Sequence, residues 1–95
     1  MENKSKQIHL YSNPDKVQKK AKMLGLNPVE LSSRKTKKYM IRDNNGDVKH
    51  FGQMLYQDFT KTNDKKKREN FRSRNWRWEH APKYSPAFLA YHLLW

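Results

Sequence analysis

The chain has 95 residues, 35% of them hydrophobic and 32% charged, and its 21 Lys and Arg against 9 Asp and Glu give a formal net charge of +12. That length allows one small domain with a small core and excludes separate catalytic and regulatory units. The complete lack of cysteine excludes disulfides, thiolate zinc sites and cysteine nucleophiles, while the charge excess points to a polyanion, nucleic acid first and an acidic protein or capsid surface second, with plain solubility as the third reading.

In chain order, residues 1–6 carry no apolar side chain beyond Met1 and predict a loose N-terminus with no signal peptide. Residues 7–11 alternate polar with apolar, the period of a short half-buried strand. Ser12 or Asn13 then offers a cap, Pro14 suits a first helical turn and Asp15 favours the positive helix end. Val17, Ala21 and Leu24 follow at i, i+4 and i+7 and Gly25 supplies a stop, so a helix is predicted over 14–24. Residues 29–32 read as a strand and 32–38 as a polar basic connection. The strongest pattern comes next: Tyr39, Met40 and Ile41, then Val48 to Phe51, flank Asn44, Asn45 and Gly46, which tolerate the left-handed backbone of a tight turn. A β-hairpin is predicted, ending at Gly52.

Met54, Leu55, Tyr56 and Phe59 form an apolar cluster expected to fold over the sheet. Thr62, Asn63 and Asp64 signal a helix start, followed by a run without Gly or Pro through Trp78, in which Phe71 and Trp78 share a face and Trp76 points elsewhere. Pro82 terminates that segment. Ser85 and Pro86 open a last helix whose Phe88, Leu89, Tyr91, Leu93, Leu94 and Trp95 pack inward. The expected architecture is α+β, one domain over 1–95 with a small antiparallel β-hairpin or sheet packed with about three helices.

Positive charge falls in three clusters. Lys65, Lys66, Lys67, Arg68, Arg72, Arg74 and Arg77 form a ridge if that segment is helical, opposed only by Asp64 and Glu69. Arg34, Lys35, Lys37 and Lys38 enter the first hairpin strand, and Lys16, Lys19, Lys20 and Lys22 decorate the first helix. The first two clusters are the candidate nucleic-acid contacts. Dispersed clusters suit backbone neutralisation more than base readout, and neither a zinc finger, a heptad zipper nor a clear helix-turn-helix spacing is present. Interleaved aromatics can stack on unpaired bases, although Phe71 and Trp78 are expected to serve the core first.

Catalysis has little support. His50, His80, Asp58 and Glu79 are the available acid-base groups, and no nucleophile elbow, phosphate loop or paired-carboxylate spacing frames them. Scattered histidines lack metal-ligand spacing, so no metal or cofactor is expected, and His50 and His92 are read as structural hydrogen-bonding residues. No apolar run approaches the length of a membrane span.

Several short motifs in fixed order carry a resemblance. Lys37-Lys38-Tyr39-Met40-Ile41, His50-Phe51-Gly52-Gln53-Met54, Tyr56-Gln57-Asp58-Phe59-Thr60-Lys61, Arg68-Glu69-Asn70-Phe71 and the closing Lys83-Tyr84-Ser85-Pro86-Ala87-Phe88-Leu89 with Leu93-Leu94-Trp95 are similar to a small uncharacterised protein family of large eukaryotic double-stranded DNA viruses, giant viruses included. It covers residues 34–95. The chain departs from it at Leu55, where relatives commonly have Gly, and at Thr62-Asn63-Asp64, where they have His-Lys-Asp, which weakens any catalytic or metal role for that His. The resemblance implies a virion or a viral replication site in an infected cell, and DNA ahead of RNA as partner. It supplies no activity, so two jobs are open: genome association, or a minor structural role against a capsid protein.

Overall fold

In the computed structural model, which describes residues 3–95, three antiparallel strands are wrapped by short helices, an α+β arrangement as expected. Asn3 accepts a hydrogen bond from the Lys6 amide at 3.2 Å and opens α1 (Lys4–Gln7), which runs into a 3₁₀ turn over Ile8–Leu10. The strand expected over 7–11 does not form. Five alternating residues span little more than one helical turn, so period 2 and period 3.6 cannot be told apart there, and only Ile8 needs a core to enter. From α1 the Lys4 ammonium donates to the carbonyls of Ser32, Lys37 and Arg34. Met1 and Glu2 lie outside the described residues.

Helix α2 (Pro14–Met23) starts where predicted, with Asn13 accepting from the Lys16 amide at 3.3 Å. It stops at Gly25, whose φ of +71° lets the Leu26 amide reach back to the Ala21 carbonyl at 2.9 Å. Val17 and Ala21 are buried, and Leu26 closes the same apolar face.

Strands β1 (Val29–Leu31), β2 (Lys37–Arg42) and β3 (Val48–Gln53) lie in sequence order. The predicted hairpin is present, with Tyr39 opposite Phe51 and Ile41 opposite Lys49. Its tip is held by the Asp43 carboxylate, which accepts from the Asn45 and Asp47 amides at 2.9 Å each, and by Gly46 at φ +86°. Because β1 pairs Val29 with Ile41 and Leu31 with Tyr39, these residues and Phe51 share one face. The core is built on that face, from Ile8, Val17, Ala21, Leu89 and Leu93.

The cluster expected after β3 divides. Met54 is buried, whereas Leu55 and Tyr56 are 75% and 67% exposed at a turn in which the Tyr56 amide bonds back to Gln53. A short α3 (Phe59–Thr62) ends at Asn63 in the left-handed conformation, and Asp64 then caps α4 (Lys65–Arg74) by accepting from the Lys66 and Lys67 amides at 3.1 Å. The α-helix expected through Trp78 ends at Asn75, whose side chain donates to the Phe71 carbonyl at 3.0 Å and competes with the backbone ladder; a 3₁₀ turn follows over Trp76–His80. Ser85 caps α5 (Pro86–Leu89), which passes into a π-helical turn over Ala90–Leu94. Among the described residues no helix is long and apolar enough to cross a membrane.

Candidate nucleic-acid interface

Helix α4 buries none of its residues, so its position rests on half-buried side chains. Lys65, Arg68 and Arg72 recur at i, i+3 and i+7 on one flank, and Lys67, Phe71 and Arg74 at i, i+4 and i+7 on another. The first flank meets α2. The Arg68 guanidinium lies 4.3 Å from the Phe59 ring centroid and the Lys20 ammonium 5.9 Å from the same ring. Arg72 lies 5.4 Å from the Tyr91 ring and donates to the Trp95 carbonyl at 3.0 Å, while Lys16 donates to the Asn63 side chain at 3.1 Å. Two clusters separated by more than forty positions in the chain thus become one patch about Lys20.

The patch carries a repulsive charge. Burial lowers the pKa of Lys20, and the nearby charges of Arg72, Arg68 and Lys16 lower it further against the opposing pull of Asp58. Among the described residues, Lys38 alone of the lysines and arginines is in salt-bridge contact with a carboxylate. The other lysines and arginines among the described residues have no Asp or Glu side chain at salt-bridge distance, which is the condition a polyanion relieves.

Lys38 itself corrects the sequence reading. It is 2% exposed, with its ammonium 3.1 Å from the buried Asp58 carboxylate, and cannot reach a phosphate. The reason is packing: β2 places it against Gly52 of β3, where φ is +81° and a Cβ would come within 3.3 Å of the Lys38 stem and 2.8 Å of Leu94. Thr60 donates to Asp58, the Ser12 and Thr60 hydroxyls lie 3.1 Å apart, and Tyr39 donates to Ser12 at 2.7 Å. Every buried side-chain N or O among the described residues has a partner, so the network is closed.

The rest of the second cluster stays at the surface, Arg34 and Lys35 exposed and Lys37 half-buried. Lys4 joins it, a residue composition could not single out from its neighbours. His50 bonds Ser32 through Nδ1 at 2.7 Å, a structural role as expected, and partial burial with the charges of Arg34, Lys4 and Lys37 holds its pKa below the ordinary value. His92 likewise bonds the Glu79 carbonyl at 2.9 Å. Lys65, Lys66 and Lys67 are exposed, and Arg77 lies 5.2 Å from the ring of Trp76, itself 61% exposed.

The other flank of α4 borders a cleft of about 540 Å³, between the end of β3 and the C-terminal helix. Phe71 and Trp95 stack there at 4.7 Å and 10°, and Trp78 meets Phe71 edge-on at 5.9 Å. Lys37 and Arg74 both line this cleft, so it links the first and second clusters. Among the described residues no three His, Cys, Asp or Glu side chains gather as a metal site would require.

Residues 28–75, from β1 through α4, match the model of a family of unknown function (DUF5754). No curated protein and no solved structure matches the chain.

Proposed function

The chain belongs to this family of unknown function, and we propose that it is a non-enzymatic nucleic-acid-associating protein acting mainly through phosphate contacts, in keeping with genome packaging in a large DNA virus. One observation carries this reading: Lys16, Arg68 and Arg72 gather about Lys20, with Lys20 and Arg68 on the Phe59 ring, and among the described residues no Asp or Glu side chain is in salt-bridge contact with any of the four. Cations held together against their own repulsion gain free energy when phosphates replace water and released counter-ions enter solution. Phe59 and Tyr91 orient the arginines, and the exposed lysines of α2 and α4 widen the field.

The test is the salt dependence of binding to duplex DNA. If roughly five phosphates are neutralised, log affinity should fall against log salt with a slope near −4.5. Replacing Lys16, Lys65, Lys66 and Lys67 together by Gln keeps helix propensity and spares the arginines that pack on rings. The slope should become shallower by about 0.9 for each phosphate no longer neutralised, with affinity falling by a similar factor on every sequence. Absence of measurable binding to any nucleic acid at low salt overturns the reading. An unaltered slope in the variant shows that these four lysines contact no phosphate and leaves Lys20, Arg68 and Arg72, or Arg34, Lys35 and Lys37, as the contacts.

A second reading, a minor structural protein bound to a capsid component, draws on the exposure of Leu55, Tyr56 and Trp76. Proteomics of purified particles before and after nuclease treatment separates the two. A genome-bound protein leaves with the nucleic acid, whereas a capsid-bound one stays.

A further inference from the structure

The cleft beside α4 differs in kind from the ridge on its other flank. Its floor and walls are apolar and aromatic, with Phe71, Trp78 and Trp95 at one side. Its polar side chains are Gln53, Gln57, Tyr56, Lys37 and Arg74, together with Lys38 and His50, which are turned to Asp58 and Ser32, and no Asp or Glu lines it. Trp78 remains 37% exposed and Trp95 is half-buried, so this aromatic cluster is not sealed into the core. A volume of about 540 Å³ lies within the range of small-ligand pockets, large enough for one nucleotide.

Each part of that lining matches one part of a nucleotide. Rings with accessible surface accept a flat base, amides offer both a donor and an acceptor to a base edge, and Lys37 and Arg74 suit the phosphates on either side. A lining without Asp or Glu carries no anionic side chain to repel a phosphate. A base within a duplex is already stacked and paired and must be extruded before it can enter, whereas a base on a single strand need not be.

We infer that the cleft seats an unpaired base of a single-stranded nucleic acid against Trp78 and Trp95, with flanking phosphates on Lys37 and Arg74. This rests on the nucleic-acid reading above and narrows it: the α2–α4 patch supplies charge attraction for any nucleic acid, and the cleft supplies a preference for single strands. The preference is for unpaired bases in general, since every base has a face to stack.

The experiment compares, on the wild-type protein, oligothymidylate and oligouridylate of about 12 nucleotides, a length within the site sizes of single-strand binders, with an abasic strand of equal length and a duplex. The abasic strand keeps the phosphates and removes the rings. At least one base-bearing strand should bind about 5- to 150-fold tighter than the abasic strand, the range of one stacked base, and should quench tryptophan fluorescence. Trp78→Leu should narrow that gap and Trp78→Phe should restore part of it. Equal affinity of the wild-type protein for abasic and base-bearing strands overturns the inference while leaving phosphate binding intact. Failure to bind any strand or duplex removes the nucleic-acid reading as well, so the two failures are distinct.

Discussion

Lys38 shows how far a single residue can depart from its local context. It follows Arg34, Lys35 and Lys37 in a run that reads as a solvated basic segment, yet its neighbour across the sheet is Gly52, and the space left by the missing Cβ takes its stem inward. Burial lowers its pKa on balance, and the Asp58 carboxylate, acting as charge and as hydrogen-bond acceptor, offsets only part of that. Removing one partner of such a pair leaves an uncompensated buried charge. Lys38→Met and Asp58→Asn should therefore each cost about 3–5 kcal/mol in urea unfolding, and the double variant should cost clearly less than the sum. Strictly additive losses would show that the two residues are not coupled.

At the scale of elements, the C-terminal segment anchors more than itself. Leu93 and Leu94 are 0% and 2% exposed, and Trp95 stacks on Phe71 of a helix that has no buried residue of its own. Deleting these three should lower the melting temperature by many degrees, since each buried aliphatic side chain contributes about 1.5–3 kcal/mol. It should also reduce helical circular dichroism beyond the loss of three residues, because α4 loses its stacking partner. An unchanged melting curve would contradict the packing described. The inward packing of Leu93 and Leu94 is legible in the sequence, since large apolar side chains at that density have a reason to leave water. The stack on Phe71 is not, because nothing in the spacing of positions 71 and 95 specifies it.

For the whole molecule, a net charge of +12 on 95 residues is a standing destabilisation of the compact state. Salt should relieve it, since the screening length falls from about 30 Å at 0.01 M to about 3 Å at 1 M. The melting temperature is expected to rise from about 0.02 M to about 0.5 M sodium chloride, within the range over which that screening length contracts. Lys20→Gln should raise stability at low salt and flatten the rise, because Lys20 faces Arg68, Arg72 and Lys16 together. A melting temperature that is flat or falls with salt would show that the repulsion is not borne by the fold.

The α+β class, the starts of α2, α4 and α5, and the hairpin tip at Asp43 to Gly46 are all legible in the order of residues alone. Those features are decided by caps, turns and periodicity acting within four or five residues, such as Asp64 on the Lys66 and Lys67 amides. Where the pattern is too short, as over residues 7–11, local chemistry leaves strand and helix undecided. The three-dimensional packing alone puts Lys38 inside, brings Lys20 and Arg68 to one aromatic ring, and sets Lys37 and Arg74 along one cleft. Each depends on segments twenty or more positions apart being brought together by burial of the core, and side-chain pattern along the chain carries no record of which distant segment will cover which face.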